Sequence, residues 1–289
     1  MKRTAKRTAK RTAIIAAAMV LLSVVPASAR RIVVVPGPGT PLQDGIDAAL
    51  PGDTVRVAAG TYFESIVVDK PLKVYGRSAV IDAGCDVSTA VLIAADAVAL
   101  RGIEVRGGNF YGIDAAVRDR TVLDRLKVVP SCAGVEYGIN VFQGTNMRIR
   151  NNTIQNVSGF GDAAIYIGGT PADADLRVER NVLHGPNARG IIVEDSVDVP
   201  GRPISVRVRK NDILNAGVGI YVFGSSGVEI LSNRVISGTG AGVEITVNSN
   251  DNVLIGNRLV GNAPDVLDNG TNNCWRSTIF ATGTLPPPC

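Results

Sequence analysis

A short phrase returns along this chain at nearly constant spacing. It reads Gly112-Ile113-Asp114-Ala115, Gly138-Ile139-Asn140-Val141, Ala164-Ile165-Tyr166-Ile167, Gly190-Ile191-Ile192-Val193, Gly219-Ile220-Tyr221-Val222 and Gly242-Val243-Glu244-Ile245. The first three steps are 26 residues each, followed by 29 and 23. A second phrase runs out of phase with it: an apolar residue, two variable ones, Asn, one variable residue and another apolar residue. It occurs at Ile149, Asn152 and Ile154; at Val178, Asn181 and Leu183; at Val208, Asn211 and Ile213; at Ile230, Asn233 and Val235; and at Leu254, Asn257 and Leu259. Repeats of this length indicate a solenoid. The apolar residues alternate in runs too short for helices, so each unit is built of strands. The pattern predicts an all-β chain: a single-stranded, right-handed parallel β-helix with a short N-terminal capping helix.

The recurring Asn has a structural reason. The chain turns sharply between two short strands of one coil, and Asn tolerates the left-handed conformation while bonding nearby backbone. Stacked coils also let Asn side chains bond those above and below. This Asn set is read as framework and not as a site.

The 289 residues carry a formal charge of +4, which overstates how basic the folded part is. Six of the 30 Lys and Arg lie in the first 29 positions, where there is no Asp or Glu. Residues 30–289 therefore hold 24 basic against 26 acidic side chains, about −2. No overall basic footprint for nucleic acid results. The first 29 residues read as a secretory signal, with a basic start at 2–11, an apolar stretch at 14–25 and a small-residue cleavage site at Ala27-Ser28-Ala29. The alternative is an uncleaved N-terminal anchor. Cleavage near Ala29 implies a secreted or periplasmic protein with no stable membrane insertion.

Export makes disulfides the expected state of Cys85, Cys132, Cys274 and Cys289. Three connectivities are possible. Cys85–Cys132 and Cys274–Cys289 are favoured, because contacts in a solenoid join neighbouring coils and the last pair closes the tail. A metal site is the alternative, but there is no CxxC pair and the single His184 is distant in sequence.

Ahead of the repeats, Thr40-Pro41-Leu42-Gln43 reads as a capping box with Pro at the first helical position. Leu42, Ile46, Ala49 and Leu50 form the apolar face of this helix, and Pro51-Gly52 stops it. The organisation expected is a signal (1–29), then one β-helix domain (30–289) comprising an N-terminal cap (30–52), coils (53–262) and a disulfide-closed C-terminal cap (263–289).

Three stretches carry a family resemblance: 42–49 (Leu42-Gln43-Asp44-Gly45-Ile46-Asp47-Ala48-Ala49), then Gly52-Asp53-Thr54-Val55, then Ala59-Gly60-Thr61-Tyr62. Glu64, Lys70-Pro71-Leu72 and Gly76 continue the phrase. Over roughly residues 32–289 the chain resembles the right-handed parallel β-helix repeat proteins of the pectate-lyase-like superfamily. That resemblance implies the fold and not one activity, since the superfamily holds lyases, hydrolases, epimerases and binding proteins. The hydrolase motifs of the superfamily are missing: no Asp-Asp pair occurs, the one His stands in Leu183-His184-Gly185, and Arg207-Val208-Arg209-Lys210 lies on a repeat strand. The epimerase Asp-Pro-His pattern is also absent.

With the repeated Ile pointing inward, the next residue of each coil points out. This outward row is Asp114, Asn140, Tyr166, Ile192, Tyr221 and Glu244, with neighbours about 4.8 Å apart. Two residues further on stand Phe142, Glu194, Phe223 and Thr246. Aromatic rings beside carboxylates and an amide suit sugar rings, which stack on aromatics and hydrogen-bond at their edges; an ordinary mixed sheet face is the alternative. For catalysis, the candidate carboxylate pairs are Glu194 with Asp195 and Glu194 with Asp162, with His184 as acid or base and Arg189 beside it. The candidate cofactor is Ca²⁺, held by oxygen ligands in the turns that carry Asp173, Asp175, Asp195 and Asp198, which otherwise are solvated acidic loops.

The function expected is polysaccharide recognition along the parallel-sheet face by a monomer. The alternatives are a divergent lyase, glycoside hydrolase or epimerase, and a structural or adhesive solenoid with no ligand.

Overall fold

The computed structural model describes residues 29–289 except 156, 158–162, 197–205, 237 and 285–286, with only the backbone at 187. The signal, Asp162 and Asp198 lie outside the described residues. The chain winds into an all-β parallel solenoid of about 10 turns, and every strand pairing among the described residues is parallel. Three sheets run the length of the winding. One coil shows the plan. Arg148–Arg150 lies in the first sheet, Thr153–Gln155 in the second and Ala163–Gly168 in the third. Each then pairs with the matching strand of the next coil. Long strands such as Val182–Glu194 and Asp212–Phe223 pass from the second sheet into the third without a break.

The two sequence phrases become two walls of the core. Ile113, Ile139, Ile165, Ile191, Ile220 and Val243 are fully buried on the third sheet. The apolar partners of the Asn phrase, including Ile149, Ile154, Val178 and Leu183, are fully buried on the first and second. Each such side chain contributes about 1.5–3 kcal/mol by leaving water. The small residue ahead of each inward Ile has a steric cause: a Cβ on Gly138 would lie 2.7 Å from the Ala164 carbonyl oxygen and 2.8 Å from Ile154 Cγ2.

The tight corner between the first and second sheets carries an unbroken ladder. Asn152 Nδ2 donates to Asn181 Oδ1 (3.0 Å), Asn181 to Asn211 (3.0 Å), Asn211 to Asn233 (3.0 Å) and Asn233 to Asn257 (3.1 Å). The left-handed residue at this corner is not the ladder Asn. It is the residue before it, Asn151, Arg180, Lys210, Ser232 or Gly256, with φ between 54 and 65°. The preceding residue makes the turn, which leaves the ladder Asn side chain pointing inward.

The one α-helix among the described residues, Pro41–Asp47, packs Leu42 and Ile46 fully buried beside the first strands. Its cap differs from the capping box expected. Thr40 makes no capping hydrogen bond to the backbone. The Glu64 carboxylate instead accepts from Leu42 N (2.9 Å) and Gln43 N (2.8 Å). Gln43 is occupied by Val67 N, which donates to it at 2.7 Å.

Cys85 is bonded to Cys132 and Cys274 to Cys289. Cys85 lies three residues past Asp82 and Cys132 three past Val129, while Arg106 of the coil between pairs with both. This bridge therefore spans two coils instead of joining neighbours, and Gly107-Gly108 of the intervening corner, both at positive φ, pass close to the backbone of Gly84 and Tyr111. Strands also persist beyond 262, at Val266–Asp268 and Cys274–Arg276. Trp275 enters the first sheet beside Leu254 and meets Phe280 edge-on, centroids 5.5 Å apart.

Candidate functional site

The outer face of the third sheet aligns the outward row in strict register. Asp114 pairs with Asn140, Asn140 with Tyr166, Tyr166 with Ile192, Ile192 with Tyr221 and Tyr221 with Glu244. Two residues on, Phe142, Gly168, Glu194 and Phe223 form a second column. Asn140 donates to Asp114 Oδ1 at 2.8 Å, which fixes both groups. Ile192, though outward, is buried.

A third column on this face was not foreseen. Tyr111 and Tyr137 stand in register, two residues ahead of Ile113 and Ile139. Their rings stack, centroids 5.9 Å apart and 16° between planes. Phe110 meets Tyr111 edge-on at 4.5 Å, and Tyr137 lies 4.7 Å from the Tyr166 ring. The signal was present one residue before the repeated phrase, where these two coils carry Tyr and the next carry Ala163, Arg189 and Val218. With Asp114, Glu136, Asn140 and Phe142 this cluster lines a groove of about 360 Å³. A second groove of about 240 Å³ shares Tyr137 and continues past Arg189, Ile192, Glu194, Tyr221 and Phe223.

The electrostatics of the face favour neutral phenols. Burial, followed by the Glu194 charge and a hydrogen bond with it, pushes the Tyr166 hydroxyl far above its usual range. Burial and then the Asp114 and Glu136 charges raise Tyr111. Burial and then Glu244 raise Tyr221 against the opposing pull of Arg189, whose guanidinium sits 4.6 Å over the Tyr221 ring. These hydroxyls remain hydrogen-bond donors at neutral pH.

Of the described candidate catalytic residues, Glu194 and Asp195 both act on Tyr166, whereas His184 stands apart. Glu194 and Arg189 share the second groove. His184 lies instead on the second sheet, between Gln155 and Leu214, because the chain turns the corner between His184 and Arg189. Asp195 is exposed at the corner beyond Glu194, at φ 48°. In the described part of the acidic turns, Asp175 is committed to arginines: Arg148 (2.7 Å), Arg177 (2.9 Å) and Arg207 (3.7 Å). Burial opposes its ionisation, but hydrogen bonds from Arg177 and Arg148 outweigh that and keep its carboxyl below the usual range. Among the described residues no three His, Cys, Asp or Glu come together as metal donors.

Residues 97–284 match the family described as periplasmic copper-binding protein (NosD). The chain belongs to the NosD family. No curated protein matches it in sequence. Among solved structures it is similar to the periplasmic alginate epimerase AlgG, at 13% identity and TM-score 0.53, over 89% of this chain and 81% of that one. It is also similar to a mannuronic acid specific polysaccharide family 6 lyase from human gut microbiota, at 13% identity and TM-score 0.48, over 89% and 78%. The pectate lyase Pel9A matches at 14% identity and TM-score 0.40, over 90% and 80%. At this identity the similarity to AlgG shows the fold alone, a parallel β-helix. Among the described residues no helix is long and apolar enough to cross a membrane.

Proposed function

We propose that this protein is an extracytoplasmic polysaccharide-binding β-helix that holds its ligand along the outer face of the third sheet. The observation that carries the reading is the aromatic cluster of Tyr111 stacked on Tyr137 and Tyr137 tilted against Tyr166, beside Asp114 and Asn140, with the stacked Tyr221 and Phe223 further along. The aromatic cluster offers an apolar surface to sugar rings, while carboxylates and neutral phenols supply acceptors and donors for sugar hydroxyls. Asp114, Glu136, Glu194 and Glu244 on this face outnumber Arg189, so the charge balance favours a neutral glycan over a polyanion. The disulfides and the periplasmic family support the location. His184 lies on the second sheet, which removes it as an acid–base partner of Glu194.

The family's name assigns copper to its members. The donors described in this chain do not fit that ion: all four Cys are in disulfides, Met147 is fully buried in the core, and His184 stands alone on the second sheet. Copper takes imidazole, thiolate or thioether ligands, so no step is assigned to it.

The test is affinity electrophoresis of the purified protein on a panel of neutral glycans, with reducing ends and unsaturated products followed in parallel. Retention on one polymer is expected, weakened about three- to tenfold by Tyr137→Ala or Tyr221→Ala, with no turnover. No retention on any polymer removes the proposal. Turnover abolished by Glu194→Gln would replace it with an enzyme.

A further inference from the structure

The first sheet carries a column of charges on its outer face. Arg101 pairs in register with Asp124, Asp124 with Arg150, Arg150 with Glu179 and Glu179 with Arg209, an alternation of sign. The ion pairs follow it: Arg101 to Asp124 at 3.7 Å, Arg150 to Asp124 at 3.5 Å and Arg209 to Glu179 at 2.9 Å. Toward the N-terminus the alternation stops. The column continues with Tyr75 and then Arg56, and Arg101 stacks over the Tyr75 ring at 5.4 Å.

Beside this break lies a cleft of about 510 Å³ at the corner between the first and second sheets. Arg56, Arg77, Arg101 and Arg125 line it with Tyr75, and no carboxylate does. Among the described residues the guanidinium groups of Arg56, Arg77 and Arg125 have no ion pair and no hydrogen bond. The buried Nε of Arg101 lacks a hydrogen-bond partner as well. Glu104, which lines the adjoining opening with Arg125, is already held by Arg106 at 2.6 Å and Lys127 at 3.1 Å.

The corner explains why the space is open. Here the Asn ladder is absent: the coils turn through Gly76-Arg77-Ser78, Gly102 and Arg125, with Ser78, Gly102 and Arg125 in the left-handed region. A Cβ on Gly102 would run into the Gly76 carbonyl oxygen. Two glycines therefore stack as a bare backbone floor, and Arg77 and Arg125 rise as its walls.

We propose that this cleft is a second binding site, separate from the third-sheet face, that takes the carboxylates of an acidic glycan. Planar guanidinium forks match carboxylate geometry bidentately. Tyr75 offers one aromatic face to a sugar ring. A single ring does not make the series of stacking platforms that single-stranded nucleic acid requires. Residues 30–289 carry a net charge of about −2, so four unpaired or half-paired Arg at one corner represent local selection of an anion and not general basicity.

Titration calorimetry with a galacturonate hexamer tests the assignment, with a glucose hexamer, a chondroitin sulfate hexamer and an oligodeoxynucleotide as comparisons. Binding of the galacturonate hexamer is expected, weakening as salt rises. Arg77→Gln with Arg125→Asn should weaken it about 10- to 100-fold. Asn at 125 preserves the left-handed corner, as Asn151 does in the next coil. Arg77→Lys with Arg125→Lys keeps the charge and loses the fork, and an intermediate loss is expected. Tyr137→Ala and Tyr221→Ala, on the other face, should leave this affinity unchanged, which separates failure here from failure of the third-sheet site. The proposal is overturned by any of three results: no binding of the uronate, equal binding by the Arg77→Gln, Arg125→Asn protein, or tighter binding of the sulfated hexamer or the oligodeoxynucleotide.

Discussion

Asn181 makes contacts with three neighbours in the solenoid's corner. Its Oδ1 accepts from Asn152 N and Nδ2, each at 3.0 Å, and its Nδ2 donates to the Ile149 carbonyl and to Asn211 Oδ1, again at 3.0 Å. All of these groups are shut away from water. Truncation leaves a backbone donor and a backbone acceptor unsatisfied, each costing about 1–3 kcal/mol. Asn181→Ala is expected to lower stability by about 3 kcal/mol, read as a fall in the urea midpoint at unchanged slope. Arg180→Asn, at the exposed left-handed position just before it, should change stability by less than about 0.5 kcal/mol. The contrast shows what the sequence could reveal at this scale. The ladder Asn was legible because one residue type recurs in phase. The left-handed role was assigned to it wrongly because the residues that do turn the corner, Asn151, Arg180, Lys210, Ser232 and Gly256, share no side chain.

At the scale of elements, the helix Pro41–Asp47 depends on a residue from outside it. Glu64, itself buried, satisfies two of the orphan N–H groups at the helix start and places a negative charge at the positive end of its dipole. Glu64→Ala is expected to cost about 2 kcal/mol, measured by thermal unfolding. Thr40→Ala should cost little, since Thr40 caps nothing. Were the costs reversed, the local capping box would be the operative one. A local motif proposed Thr40 and Gln43; the group that does the work is 21 residues downstream of Gln43 and was not visible to a rule based on short spacing. The site behaves the same way. The row from Asp114 to Glu244 was legible because each member follows the inward Ile of the phrase. Tyr111 and Tyr137 were not, because only two coils place an aromatic at that point. His184 and Arg189 looked like neighbours in sequence, but the corner between the second and third sheets separates them.

Across the whole molecule, coupling passes from each coil to the next, so stability is close to a sum of local terms. The Cys85–Cys132 bridge departs from that rule, since it ties together coils that are not in contact through one sheet step. It closes 47 residues, and Cys274–Cys289 closes 15. On the chain-entropy account these are worth about 4 and about 3 kcal/mol. In a globular domain such a loss would be shared by the whole structure. In a solenoid it should stay near the cut. Replacing Cys85 and Cys132 by Ser is therefore expected to raise deuterium uptake in the corners around Gly84, Gly107-Gly108 and Ser131, while the strands beyond Asn181 keep their protection. Replacing Cys274 and Cys289 should do the converse, loosening residues 274–289 alone. Uptake that rises evenly along the chain in either variant would mean that the coils unfold as one unit, and the nearest-neighbour description would have to be given up.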